Sequence, residues 1–182
     1  MTIPEWKEMG IPAGYGPKTI LYNPPSRRVV VELRSVGDEY LPNRLYMRHE
    51  DDAEYHQIGF PEAEISYESP VVLLTQPTLF FNANRIVRSD NHVGGNWEAV
   101  HSFDLSTLEL ATCFEKKNIL LPSPFSEGWV TALVSATEDG GHLYLRMGMR
   151  EEERKHIRYA LATIDLSTRA VVPITWLKGA FF

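Results

Sequence analysis

From Thr19 onward the chain alternates apolar and polar residues with a period of two. In Arg44-Leu45-Tyr46-Met47-Arg48, Leu45 and Met47 fall on one side and the polar-tipped residues on the other; His142-Leu143-Tyr144-Leu145-Arg146 repeats the arrangement, and Thr78-Leu79-Phe80-Phe81-Asn82 is a more apolar version. Successive side chains of a strand point to opposite faces, so this alternation specifies strands with one face buried. Helical periodicity is almost absent. Its best candidate, Arg150 to His156, is polar throughout and reads as a solvated hairpin loop or a single turn. The chain is therefore expected to be all-β.

The strands recur as a unit. Phe103-Asp104-Leu105-Ser106-Thr107 and Ile164-Asp165-Leu166-Ser167-Thr168 are nearly the same segment placed 61 residues apart, and each is followed by a return of apolar residues (Leu108, Leu110; Val171, Val172). Asp followed by Ser/Thr at a strand end binds the backbone N–H groups of a turn, so each segment is strand, turn, strand. With the preceding strands at Val29–Leu33, Val71–Leu74 and Val130–Val134, the body divides into three four-stranded antiparallel meanders, over residues 27–63, 64–115 and 126–180. Repeats of 40 to 60 residues are the mark of propeller blades. Complete rings have at least four blades, so the expected architecture is a small or incomplete propeller. Thr19–Tyr22 is expected to supply a strand of a fourth blade or to close the ring; a sandwich or a partly open barrel is the alternative.

Ser135-Ala136-Thr137-Glu138-Asp139-Gly140-Gly141-His142-Leu143-Tyr144 resembles the Ser-x-Asp-Gly-x-x-Leu-Tyr turn of propeller blades, and with Ala162 to Thr168 the third copy resembles a blade of the TolB or lactonase-like propellers. Asp139-Gly140-Gly141 has the composition for a tight turn between an inner and a middle strand. Ser89 to Trp97 is similar to a sialidase Asp box with altered spacing, and that activity is not carried over.

Residues 1–18 differ from the body at 19–182, which reads as a single all-β domain. Gly10-Ile11-Pro12-Ala13-Gly14-Tyr15-Gly16-Pro17-Lys18 is too rich in Gly and Pro for regular structure and is expected to lie over the body as an extended arm. It is no phosphate-binding loop, because Pro17 stands before Lys18 where such a loop needs Gly-Lys-Ser/Thr.

Charge and cysteine content exclude several functions. The 18 Lys+Arg against 24 Asp+Glu give a net charge of −6, with basic residues scattered and forming no stripe for a phosphate backbone. Nucleic acid is not an expected partner. Cys113 is the single cysteine and lies in an apolar stretch, so no internal disulfide forms and the thiol is expected to pack as a small hydrophobe. No apolar run reaches the ~20 residues of a membrane span and the first residues lack a secretory pattern, so the expected compartment is the cytoplasm.

Candidate sites follow from the polar clusters. His49-Glu50-Asp51-Asp52-Ala53-Glu54-Tyr55-His56 is the densest, but its spacing matches neither His-Glu-x-x-His nor a calcium loop. It reads as an acidic hairpin tip, with Asp51, Asp52 and Glu54 as contacts for a basic partner. Gly94-Gly95 is expected to bring Trp97, with Asn96 and His92, to the surface as a second contact, since Trp is a frequent binding anchor; packing of Trp97 as a core plug is the competing expectation. His92, His101, His142 and His156 have no nucleophile or orienting carboxylate beside them in sequence, and no Gly-x-Ser-x-Gly elbow occurs. No catalytic residue, cofactor or metal is assigned. The expected function is a non-catalytic protein-binding module, with an immunity protein that neutralises a basic toxin as its particular form. A propeller-type hydrolase or lactonase with a metal in a central pocket is the alternative.

Overall fold

The computed structural model describes residues 10–36, 41–59, 64–89, 92–151 and 156–178. Among the described residues, twelve strands form three four-stranded sheets, each a consecutive antiparallel meander. Blade I contains β1 (Tyr15–Asn23), β2 (Arg28–Ser35), β3 (Arg44–His49) and β4 (His56–Ile58). Blade II contains β5 (Ile65–Val72), β6 (Thr78–Ser89), β7 (His92–Asp104) and β8 (Leu110–Glu115). Blade III contains β9 (Phe125–Ala136), β10 (His142–Glu151), β11 (Ile157–Asp165) and β12 (Val171–Trp176). The first strand of blade II, β5, lies beside β1 and β9, so the three blades share an inner edge as in a propeller. The sheets do not close: each keeps two end strands, and the sandwich and barrel alternatives are set aside.

Three boundaries differ from the sequence reading. Thr19–Tyr22 belongs to β1, the first strand of blade I, and contributes to no fourth blade. Tyr15–Lys18, read as part of the arm, are the start of that strand, with Tyr15 opposite Ser35. Gly and Pro obscured it: Pro17 precedes a break in register between Pro17 and Thr19, where the strand tolerates a residue that cannot donate to the ladder. Finally, the first meander, read as residues 27–63, has the three residues of β4 as its last described strand, and the third ends its described strands with β12; Trp6 and Phe181–Phe182 lie outside the described residues.

Alternation decides which faces meet. Val30, Leu45, Met47 and Ile58 of blade I pack on Leu79, Phe81, Ala83, Phe103 and Leu105 of blade II. From its other face, blade II sends Phe80, Trp97, Val100 and Phe114 against Leu143, Leu145, Met147, Met149, Ala160, Ala162 and Ile164 of blade III. The far face of blade I is sealed by Ile11, which is buried with Val31, Leu33, Tyr46 and Tyr55. On the far face of blade III, Trp129 covers Gly148 so closely that a Cβ there would sit 2.4 Å from its ring, which no larger residue can accept.

The hairpins joining the first and second strands of each blade stand side by side and are bonded to one another. Asn23, fully buried, donates its amide to the carbonyls of Leu73 (2.6 Å) and Gln76 (2.8 Å) in the blade II hairpin, while its own oxygen accepts from Ser26 N–H at 3.0 Å. Gln76 in turn donates to the Glu138 carbonyl of the blade III hairpin at 2.9 Å. There Asp139 accepts from Gly141 N–H at 2.9 Å, and Gly140 takes a φ of +71°, the left-handed region that glycine enters without a Cβ clash. The repeated Asp turns are built as their sequences require. Asp104 accepts from the N–H groups of Ser106 (2.7 Å) and Thr107 (2.8 Å), and Asp165 from Ser167 and Thr168 (both 2.8 Å).

Asn23→Ala should cost about 1–3 kcal/mol, the penalty for leaving buried carbonyls without a donor, measured as a lower urea midpoint with unchanged slope. The Asp165 carboxyl is held well below 3.8, at about 2, first by the Ser167 hydroxyl and then by the Thr168 N–H. Because the folded value is the depressed one, this stabilisation is complete above pH 3.8 and is lost as pH falls through about 2. Asp165→Asn should therefore flatten the acid limb of a stability–pH profile in that window, and an unchanged limb would contradict the assignment.

Candidate functional site

The β3–β4 hairpin carries the acidic cluster, and its backbone is held by one cation. Arg48 sends Nη1 to the carbonyls of Glu50 (2.9 Å) and Asp52 (2.8 Å), with a longer bond to His49 (3.2 Å), while its guanidinium lies 5.4 Å from the centre of the Tyr55 ring. The turn is closed by Asp52 N–H on the His49 carbonyl at 3.0 Å. Around it, Glu50 accepts from the Tyr22 hydroxyl at 2.6 Å and pairs with Arg27, which also reaches Asp51 at 3.3 Å. The Tyr22 hydroxyl and the Arg27 guanidinium together hold the Glu50 carboxyl below its usual range. Asp51, Asp52 and Glu54 all face solvent, and the Asp51 side chain is 68% exposed. A fixed hairpin thus displays carboxylates that remain accessible.

The other three expected contacts do not join this patch. Asn96 and Trp97 lie on β7 of blade II, whereas the acidic hairpin belongs to blade I. Asn96 is exposed, but Trp97 is only 3% exposed: it packs as the core plug of the competing expectation, and Gly94-Gly95 does not bring it to the surface. Its indole N–H donates to the Ala99 carbonyl at 3.1 Å and its ring packs 6.1 Å from Phe114. A register shift between Ala83 and Asn84 re-aims this part of the β6–β7 ladder toward the blade II–III core, which the Gly-Gly pair alone does not reveal. His92 begins β7, and its side chain lies outside the described residues.

No spacing of residues along the chain signals a groove of about 550 Å³ on blade II, lined by Tyr67, Ala99, His101, Leu110, Thr112 and Glu115 among others. Two ion pairs flank it, Arg85–Glu98 at 2.6 Å and Lys117–Glu115 at 2.7 Å. Between them His101 Nδ1 is 3.2 Å from the Thr112 hydroxyl, and the rings of His101 and Phe81 are 5.6 Å apart. Burial pushes the His101 imidazole below its ordinary value, against the smaller upward pull of the Ala111 carbonyl and Glu115. A carboxylate does stand beside a second histidine in space: His142 Nε2 is 3.3 Å from Asp165, its cross-strand neighbour. Burial raises the Cys113 thiol, as expected of a packed cysteine. Among the described residues no three of His, Cys, Asp and Glu gather to hold a metal, and no helix is long and apolar enough to cross a membrane.

No protein-family model and no curated protein matches the chain. Among solved structures, the β-propeller domain of the Trilobed protease from Pyrococcus furiosus is similar over 91% of this chain and 43% of its own, at 14% identity and a TM-score of 0.48. The GH74 xyloglucanase from Xanthomonas campestris is similar over 86% of this chain and 21% of its own (10% identity, TM-score 0.48). A PL25 ulvan lyase is similar over 90% and 44% respectively (7% identity, TM-score 0.48). The chain thus spans less than half the length of each. The propeller-like arrangement is carried by the chain's own three sheets.

Arg48→Ala should release the hairpin, seen as about tenfold faster amide exchange over residues 50–54 with exchange in β2 and β3 unchanged. Unchanged exchange in the hairpin would show that Arg48 does not hold it.

Proposed function

We propose that the chain is a non-catalytic binding module that presents the β3–β4 hairpin to a basic protein partner, and that an immunity protein restraining a basic toxin domain in the cytoplasm is its particular form. The observation that carries this reading is the Arg48 clasp, which orders the hairpin backbone while Asp51, Asp52 and Glu54 stay in solvent. A surface ordered before binding loses little conformational entropy on association. Clustered carboxylates speed the encounter with a cationic surface and orient it, an effect that salt weakens. The net charge of −6 acts in the same direction over longer range.

The test compares the wild-type protein with the Asp51→Lys, Asp52→Lys, Glu54→Lys triple variant, each immobilised and exposed to lysate of its source, with retained species eluted by a salt gradient. The expected result is one stoichiometric basic partner on the wild type, released by salt, whose association rate falls about tenfold or more with the triple variant. Equal retention of that partner by the triple variant would overturn the reading.

A further inference from the structure

A trough across blades II and III lies apart from the β3–β4 hairpin. Beside the blade II groove lie two further concavities of about 400 and 230 Å³. Lys116 lines all three; Lys117 joins the first two, and Asn96 and Trp97 join the first and third. Together they make a trough from the Arg85–Glu98 pair on blade II to Trp129 and Arg150 on blade III. One wall is β8, an end strand whose Leu110, Thr112 and Glu115 face the groove. The trough holds the cations Arg85, Lys116, Lys117 and Arg150 and the carboxylates Glu98, Glu115 and Glu127, a surplus of one positive charge in a chain of net charge −6.

Glu127 lines the two smaller concavities. One carboxylate oxygen is 3.3 Å from Lys116 Nζ, the other 3.0 Å from Arg150 Nη1, and the Arg150 guanidinium lies 6.0 Å from the centre of the Trp129 ring. The protein thus holds one of its own carboxylates between a cation of the blade II–III connection and a cation of blade III. All three side chains are between 36% and 45% exposed. Ion pairs this open to water are worth ~1 kcal/mol or less each, so an incoming carboxylate can replace Glu127 at small cost.

We infer that this trough binds an extended acidic peptide segment, one of whose carboxylates takes the place of Glu127 between Lys116 and Arg150. Glu127 then acts as an internal competitor. The three adjoining concavities, which share Lys116, suit an extended chain better than a single small anion.

The experiment measures fluorescence anisotropy of a labelled hexaglutamate peptide with the full chain, with thermal melts of each variant alongside. The wild type should bind, more weakly as salt rises. Glu127→Gln should bind about threefold more tightly, the loss of an exposed competing ion pair, and Arg150→Gln or Lys116→Gln about threefold more weakly, each losing one exposed pairing with the peptide. A gain of affinity on removing Glu127 cannot be produced by a folding defect, which separates competition from a structural role. Unchanged or weaker binding by Glu127→Gln overturns the inference, as does failure of both proteins to bind. Displacement by inorganic phosphate or free glutamate at concentrations comparable to the peptide's overturns it in favour of a small-anion site. Equal binding of a polyuronate overturns the assignment to peptide.

Discussion

Blade II packs a neighbouring blade on each of its faces, and the remainder of the molecule is arranged around that requirement. A meander hides one side of its backbone pleat from water only by packing on another layer, and the middle sheet has a layer on each side. Phe81 turns toward blade I and Phe80 toward blade III, one residue apart, so β6 cannot slip by one position without exposing both cores. The end blades are then finished differently. Blade I is sealed by Ile11, and blade III keeps a mixed outer face on which Trp129 covers Gly148 and meets Tyr159 edge-on at 6.4 Å.

The bonds between hairpins keep the packed blades in step. Side-chain packing alone would allow neighbouring sheets to slide; the Asn23 amide, held between two carbonyls of the next hairpin, does not. Unequal strand lengths have the opposite effect and leave space. β7 runs for thirteen residues, whereas β4, the last strand of blade I, has only three, and a groove lined by Tyr67, Ala99 and His101 stays open on blade II. The same economy shapes the acidic hairpin. Between two short strands it has few ladder bonds of its own, and Arg48 supplies the order from within the loop.

Much of this was legible from residue types. The Asp104 and Asp165 turns, the Asp139-Gly140-Gly141 turn and the strands around Leu45, Leu79 and Leu143 follow from local rules, because the atoms that stabilise them lie within a few residues of one another. The exposed acidic hairpin was legible for the same reason. Local rules fall short where they compete. Pro17 masked the start of β1, and a register shift buried Trp97 where two glycines implied exposure. Neither the His142–Asp165 pair nor the bridging of Lys116 and Arg150 by Glu127 has a local signature, since each joins residues on separate elements.

By itself, then, the sequence determined that the chain forms three antiparallel meanders and where their turns fall, because alternation and turn chemistry act over short stretches of backbone. Tertiary structure decided that β1 completes blade I, that Trp97 is core, and that Lys116, Glu127 and Arg150 meet in one trough. Those outcomes depend on how sheets of unequal length stack, a property of faces that are assembled only when the whole chain has packed.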